Sequence, residues 1–273
     1  MTLDPAAHAE RARSFDAFAG EYERYRPGYP DELFETIRTR LDLPARPLVV
    51  DLGAGTGRAS LAMAALGWRV TAVEPGKPML DQLLVRASND GLLISTVQAS
   101  AEATGLDPAS ADLATAAQAF HWFDKDAALT EMGRIVRPDG GIALFWNVRD
   151  AERSPFVADY HRLLERYFGE ADTGQYLQAG RATGRDATRE ALARAGAFRD
   201  VELLALHHAV PMTASGFIGM AFTASYVRAL PADEQDRFRM DLGAILGRHG
   251  HTDETPFQLP YRIDLWIARR HGS

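Results

Sequence analysis

The chain has 273 residues, of which 46% are apolar and 25% charged, and this composition is that of a folded globular protein and not of a disordered one. The absence of cysteine excludes disulfides, thiolate nucleophiles and zinc–thiolate sites. The formal net charge of −7, without a basic block, argues against a nucleic-acid partner.

The sequence offers no membrane signal. Its apolar runs are much shorter than the roughly 18 residues that span a bilayer, and its first 16 residues are too polar for a signal peptide. We therefore expect a cytoplasmic protein that does not bind a membrane, present as a monomer or a homodimer.

The N-terminal region, residues 1–45, contains the dense aromatic stretch FDAFAGEYERYRPGYP. Tyr22, Tyr25 and Tyr29 surround Arg26, and the two prolines of the stretch favour an extended chain. Such a segment can cover a pocket as a lid, with Arg26 pairing with a carboxylate. It can equally be a surface arm that packs its aromatic rings on the core.

Residues 46–150 alternate between apolar strand-like runs and helix-like segments, which predicts an α/β fold with a doubly wound, mostly parallel sheet. Five strands are predicted, at 47–52, 68–74, 92–100, 111–120 and 142–148. The helices between them are RASLAMAALG, KPMLDQLLVRASND and WFDKDAALTEMGRIV.

Residues 151–273 are expected to complete the same sheet and so to belong to one domain with the rest of the chain. A helix at 153–168 and a polar, glycine-rich surface segment at 169–186 precede a strand at 201–210. Helices over 213–250 then form an insertion before a final strand at 261–270.

The stretch VVDLGAGTGR places three glycines at alternate positions after the first strand. A turn of this kind lets a ligand lie on the backbone at the carboxyl ends of the strands. The spacing is G-x-G-x-G because Arg58 stands where the nicotinamide fingerprint requires its third glycine, which disfavours a dinucleotide.

Two acids accompany the turn. Asp51 precedes it, and a carboxylate there repels a pyrophosphate but suits a cationic amino group. Glu74 ends the second strand, from which an acid can accept hydrogen bonds from both hydroxyls of a ribose. The expected ligand is a nucleoside that carries an ammonium group and no phosphate.

VVDLGAGTGR followed by VTAVEPGKPML resembles the class I S-adenosylmethionine-dependent methyltransferases. The stretches SAEATGLDPASADLATAAQAFHWFD and FDAFAGEYERYRPGYP are similar, more narrowly, to the type 11 branch that includes trans-aconitate methyltransferase-like proteins. The resemblance implies a Rossmann-like sheet of seven strands whose last strand is antiparallel. It also implies S-adenosyl-L-methionine as cofactor, with S-adenosyl-L-homocysteine as product.

The resemblance further implies a set of cofactor contacts. Tyr22 and Arg26 would belong to the lid, Asp51 and the turn to the methionyl end, Glu74 to the ribose, and the rest to the ribose, adenine or methionyl portions. These other residues are Gly53, Ala54, Gly55, Thr56, Gly57, Pro75, Met79, Ser100, Ala101, Glu102, Ala117, Gln118 and Trp122.

The stretch QAFHWFD ends the fourth strand, where reacting groups are expected to stand. His121 is the candidate catalytic base and a substrate contact, with a structural hydrogen bond as the equal alternative. For Trp122 and its phenylalanine neighbours, core packing is the alternative. The remaining substrate-side candidates are Tyr25, Tyr29, Trp146, Asn147, Thr223 and Tyr226.

No metal site is expected, because His207 and His208 face opposite sides of a strand and no cysteine is available. The preferred function is methyl transfer to a small-molecule acceptor, a metabolite or natural-product intermediate. Two alternatives remain. One is a non-methylating protein of the same fold that keeps the cofactor as a structural element and steers a cyclisation or rearrangement, and the other is a nicotinamide-dependent oxidoreductase.

Overall fold

A computed structural model of the protein describes residues 27–177 and 182–272. Seven strands form one sheet in the order β3-β2-β1-β4-β5-β7-β6. Their bounds are β1 Leu48–Leu52, β2 Arg69–Val73, β3 Ile94–Val97, β4 Ala111–Ala117, β5 Val136–Arg149, β6 Phe198–Met212 and β7 Phe257–Arg270.

Helices precede, separate and follow these strands along the described parts of the chain. They are α1 Asp31–Arg40, α2 Arg58–Ala65, α3 Lys77–Asn89, α4 Lys125–Ile135, α5 Pro155–Leu177, α6 Ala182–Ala195, α7 Ala214–Phe222, α8 Ser225–Arg228 and α9 Ala232–Arg248, with a 3-10 turn at Phe120–Trp122. In this part of the chain no helix is both long and apolar enough to cross a membrane.

The predicted fold class is confirmed. The pairs β1–β2, β1–β4, β2–β3 and β4–β5 are all parallel. Strand β7 runs antiparallel to β5, since Asp150 N donates to Pro260 O at 3.0 Å while Gly141, earlier in β5, faces Ala268 O, later in β7. The second half of the chain therefore completes the sheet, as the sequence predicts.

The described part of the polar segment 169–186 is largely helical, since α5 continues past a kink at Gly169 (φ 66°) to Leu177 and α6 begins at Ala182. The predicted start of the fifth strand is wrong. Strand β5 begins at Val136, directly after α4 ends, and Pro138 to Gly141 fall inside it with a shift of register against β4. Glycine and proline therefore mark an irregularity within this strand rather than its start.

The chain divides into two compact units. Among the described residues, unit 1 consists of 27, 148–177 and 207–262, and unit 2 consists of 28–147, 182–206 and 263–272. Each unit has its own apolar core. That of unit 2 packs α1 and the sheet around Phe34, Phe145 and Trp68, and that of unit 1 packs α5, α7 and α9 around Tyr160 and Phe238.

Candidate functional site

The turn after β1 lies entirely in unit 2. The backbone N–H groups of Gly53 and Ala54 both donate to Val73 O, at 2.9 and 3.1 Å, so the turn is fastened to the end of β2. Gly53, Gly55 and Gly57 all have positive φ angles, of 66°, 55° and 87°, a region that favours glycine. Strand β1 therefore leads into α2 through a turn whose backbone conformation residues other than glycine rarely adopt.

The three glycines have different neighbours. A Cβ atom at Gly53 would lie 2.7 Å from the Cβ of Ala119, and one at Gly57 would lie 2.5 Å from the Cγ of Leu83. At Gly55 the nearest atom would be the Sδ of Met79, at 3.7 Å. Gly53 and Gly57 thus lie tightly against the protein's own side chains, whereas a Cβ atom at Gly55 would make only an ordinary van der Waals contact. That a ligand lies on this turn stays a prediction.

Glu74 connects the turn to α3. Its Oε2 accepts a hydrogen bond from Gly55 N at 3.0 Å, and its Oε1 accepts one from Gly76 N at 2.9 Å. The side chain is partly exposed. The predicted ribose acid is therefore held beside the turn by two backbone amides.

Asp51 is almost completely buried, with 1% of its surface exposed. Its Oδ2 accepts from the Ser60 hydroxyl at 2.5 Å and its Oδ1 from the Thr115 hydroxyl at 2.7 Å. Burial raises the pKa of Asp51 to about 6, the two hydroxyls oppose that rise, and the charge of Glu74 adds to it. Asp51 therefore lies beneath the turn as a carboxylate that the protein itself solvates, not as a group displayed at the surface.

Ser60 and Thr115 are contacts that the sequence did not reveal. Thr115 reaches Asp51 because β1 and β4 are paired with these two residues directly opposite each other. Ser60 lies in the first turn of α2. A hydroxyl three residues after the last glycine of the turn is the signal that could have found Ser60, whereas Thr115 depends on the strand register.

The predicted ribose and adenine contacts lie around the same end of the sheet. Thr56 is buried, and its carbonyl accepts from Arg86 Nη1 at 2.9 Å. Pro75 O accepts from Gln98 Nε2 at 3.2 Å. Met79 lies in the first turn of α3, where its backbone N–H bonds to Gly76 O.

The predicted adenine edge is tied to the start of α4. Glu102 Oε1 accepts from Asp124 N at 3.0 Å, and Asp124 in turn caps α4 by accepting from Ala127 N at 3.1 Å. Ala101 is buried and Ser100 forms an isolated bridge with Ala103. Glu102 is therefore held in a fixed position by a backbone amide.

The ends of β4 and β5 are joined by side chains predicted to contact cofactor and substrate. Gln118, which follows Ala117, has a φ of 55°, unusual for a residue with a side chain, and its Nε2 donates to Asn147 O at 2.9 Å. Asn147 Nδ2 donates to Gly28 O at 3.1 Å. Such strain persists where surrounding contacts hold it, and it is frequent in functional sites.

His121 is held by tryptophans. The indole N–H of Trp146 donates to His121 Nδ1 at 3.3 Å, and the ring of Trp122 lies 4.9 Å from the imidazole. Because Nδ1 accepts this bond, the proton of neutral His121 lies on Nε2. The geometry thus presents His121 as a hydrogen-bond donor at Nε2, while its role as a base stays a prediction.

The remaining candidates are distributed differently. Tyr22, Tyr25 and Arg26 lie outside the described residues. Tyr29 packs edge-on against Phe145, with ring centroids 4.9 Å apart, in the core of unit 2.

Thr223 and Tyr226 are in unit 1. The Thr223 hydroxyl donates to Met220 O at 2.7 Å, which is a local contact at the end of α7. Tyr226 packs against Phe168, with ring centroids 4.9 Å apart. Across residues 27–177 and 182–272, no group of three or more His, Asp or Glu side chains is arranged to hold a metal ion.

Comparison with known proteins relates the turn to a family. Residues 50–144 match the family described as a methyltransferase domain. An uncharacterised methyltransferase of Mycobacterium tuberculosis is 39% identical over 154 residues, which cover 56% of this chain and 59% of that protein. One from Schizosaccharomyces pombe is 33% identical over 158 residues, 58% of this chain and 61% of that protein. The chain thus spans about six tenths of the length of these relatives.

Solved structures show the same fold. A candidate type II methyltransferase from Anaeromyxobacter dehalogenans is 28% identical, with a TM-score of 0.61 over 91% of this chain and 100% of that one. A Haemonchus contortus phosphoethanolamine N-methyltransferase solved with S-adenosylhomocysteine is 15% identical, with a TM-score of 0.57 over 99% of this chain and 61% of that one. The second likeness concerns the fold alone.

Proposed function

We propose that the protein is a methyltransferase that uses S-adenosylmethionine, because residues 50–144 match the methyltransferase domain family. Unit 2 binds this donor along the turn after β1, and the acceptor is a small molecule. The observation that carries the proposal is the position of Glu74, whose carboxylate is held beside the turn by the backbone amides of Gly55 and Gly76.

Glu74 suits a ribose. A carboxylate offers about four lone-pair sites, so a side chain that already accepts from two amides can also accept from a diol. The two amide bonds fix the orientation of the carboxylate before the ligand arrives, which lowers the entropy lost on binding. Glu74 therefore anchors the nucleoside part of the donor.

Asp51 acts from below the turn. Because Asp51 is buried beneath the turn, it cannot make an extensive direct contact with the ligand. Its negative charge is nevertheless little screened by solvent at that depth, so it still acts on a charged ligand. It attracts the ammonium group of the donor and repels phosphates, and through Ser60 and Thr115 it holds β1, α2 and β4 in register. Asp51 is thus a positioning residue whose charge also selects the ligand.

When bound, S-adenosylmethionine supplies a methyl group that is already activated on a sulfonium. The protein's contribution is to align the acceptor and to exclude water. Gln118 and Asn147 fix the edge formed by β4 and β5. Because Nδ1 of His121 accepts from Trp146, the Nε2–H of a neutral His121 is available to a polar group of the acceptor. Ala101, Glu102 and Trp122 border the donor's adenosine portion.

A small molecule is favoured as acceptor by the charge of the chain, which is −7 without a basic block for a polynucleotide. Membership of the trans-aconitate methyltransferase-like branch, a cytoplasmic location and a monomeric or homodimeric state remain predictions of the sequence.

The test is an assay with donor labelled on its methyl group against a library of metabolites, with products detected by mass spectrometry. We expect one acceptor class to gain the label, and we expect no labelled product from the Glu74→Ala variant at the same donor concentration. Conversion of an acceptor without label and without donor consumption would favour the non-methylating alternative and refute the proposal.

A further inference from the structure

Arg149, at the end of β5, lies within unit 1 among aromatic side chains. Its guanidinium carbon is 5.1 Å from the centre of the Tyr160 ring, and Tyr160 is buried, with 1% exposure. The Nε atom of Arg149 is inaccessible to solvent and has no hydrogen-bond partner among the described residues. A charged side chain is thus held in an apolar core with one of its donors unused.

The titratable neighbours of this guanidinium are tyrosines. Against the opposing effect of burial, Tyr160, Tyr226 and Tyr261 raise the pKa of Arg149, and the Tyr261 oxygen accepts a hydrogen bond from the guanidinium. The hydroxyl hydrogen of Tyr261 is directed to the Sδ of Met220, at 3.4 Å. Tyr261 therefore helps to orient Arg149 but brings no negative charge.

Asp150, the acid next to Arg149 in sequence, forms its hydrogen bonds with other residues. Asp150 Oδ1 accepts from the backbone N–H groups of Glu152 and Arg153, at 3.1 and 3.3 Å, and its Oδ2 lies 3.0 Å from His207 Nδ1. No ion pair links Arg149 to any acid in the described ranges. Its charge is therefore uncompensated within this part of the protein.

An arrangement of this kind is costly unless a ligand completes it. A buried donor without a partner costs about 1 to 3 kcal/mol, and a charged donor costs more. A guanidinium offers planar pairs of N–H groups that match a carboxylate bidentately, and the stacking of its face on Tyr160 leaves its edges as the binding groups. Since the side chain as a whole is partly accessible, a small ligand can reach it.

We infer that Arg149 is a binding site in unit 1 for a small carboxylate ligand, whose apolar or aromatic body packs against Tyr160, Tyr226 and Tyr261. A carboxylate fits better than a phosphate, because a single guanidinium presents one planar pair of N–H groups, which two carboxylate oxygens match. His208, which stacks on Tyr261 at 5.6 Å, adds no charge near pH 7, since burial lowers its pKa.

The experiment compares benzoate with benzamide, its neutral counterpart, by saturation-transfer NMR titration of the full chain. We expect benzoate to bind the wild type at least about tenfold more tightly than benzamide, as a charge-assisted bidentate bond implies. In Arg149→Met the two probes bind equally, and in Arg149→Lys, which keeps the charge without the planar fork, the preference falls in between. Arg166→Met is the matched control, because Arg166 is an exposed arginine of the same unit that pairs with Asp241 at 2.9 Å; it keeps the full preference.

Thermal unfolding separates this role from a structural one. If Arg149 serves a ligand, Arg149→Met has a melting temperature equal to or above that of the wild type, because an uncompensated buried charge has been removed. A lower melting temperature together with unchanged benzoate preference would overturn the inference. So would equal binding of the two probes by the wild type, or displacement of benzoate by inorganic phosphate at equal concentration.

Calorimetry with S-adenosylhomocysteine on the same preparations distinguishes the two proposals. Because the benzoate titration needs no donor, a wild type that binds S-adenosylhomocysteine but not benzoate loses only the inference about Arg149. A wild type that binds benzoate through Arg149 but not S-adenosylhomocysteine loses the methyltransferase proposal.

Discussion

Asp51 in unit 2 and Arg149 in unit 1 are both charged groups that the fold shields from water, but they differ in how completely the protein satisfies their hydrogen-bonding atoms. Both oxygens of Asp51 accept hydrogen bonds from hydroxyls, whereas Nε of Arg149 has no partner in the described residues. A charge solvated by the protein itself can serve as a permanent part of the scaffold. A charged side chain with an unused hydrogen-bond donor is suited to binding a ligand of opposite charge.

The largest expected effect separates the two regions by ligand. Glu74→Ala should weaken S-adenosylhomocysteine about a hundredfold, because two charge-assisted hydrogen bonds to the ribose and the fixed turn are lost together. Arg149→Met should leave that affinity within about twofold, since Arg149 is assigned to a separate carboxylate site in unit 1. Calorimetry measures both, with Asp81→Ala on α3 as an exposed acidic control. Similar losses in Glu74→Ala and Asp81→Ala would remove Glu74 from the site.

The second prediction concerns pH and Asp51. Its pKa of about 6 in the fold lies above the ordinary 3.8, so burial of the ionised form destabilises the free protein above pH 6, and this penalty disappears as pH falls towards 3.8. Binding of a donor ammonium requires the ionised form. The affinity for S-adenosylhomocysteine should therefore fall about tenfold from pH 7 to pH 5.

Asp51→Asn is the control for that profile. It should bind the ligand more weakly at pH 7, and its affinity should hardly change with pH. A wild-type profile as flat as that of Asp51→Asn would show that the carboxylate does not sense the ligand.

The third prediction compares two glycines of the turn. Gly53→Ala should lower the free energy of unfolding by about 2 kcal/mol or more, because its Cβ meets Ala119 and its φ is positive. Gly55→Ala should cost about 1 kcal/mol, the backbone penalty alone. Urea titration measures both, and equal losses would contradict the assignment of tight packing to Gly53 and of an ordinary van der Waals contact to Gly55.

The smallest expected effect tests the orientation of His121. Trp146→Phe removes the indole N–H that fixes the proton on Nε2, so turnover should fall about threefold while donor affinity stays unchanged. His121→Ala should lower turnover further. A faster Trp146→Phe enzyme would indicate that Nδ1 is the working atom and that His121 acts as a base.

The sequence predicted the sheet because its signal is local. Alternating apolar runs and the glycine turn identified β1 to β4 and their helices within a few residues. The prediction failed at the start of the fifth strand, which was placed at residue 142 although β5 begins at Val136. Proline and glycine do not exclude a strand, because an irregularity in the pairing with β4 accommodates them.

The site was predictable where chemistry follows chain order and not where it depends on packing. The position of Glu74 beside the turn was predictable, because it follows the strand next to the turn. The burial of Asp51 could not be found, since it arises from the pairing of β1 with β4 that brings Thr115 opposite. Arg149 gave no signal among many arginines, because its distinguishing property is the absence of an acid around it in the described structure.

The central claim is that the turn between β1 and α2 binds an adenosyl ligand bearing an ammonium group and no phosphate. Isothermal titration of the full chain with S-adenosylhomocysteine and, separately, with NAD tests this most directly. The account predicts saturable one-site binding of S-adenosylhomocysteine and no binding of NAD. Binding of NAD alone, or of neither ligand, would contradict the central claim.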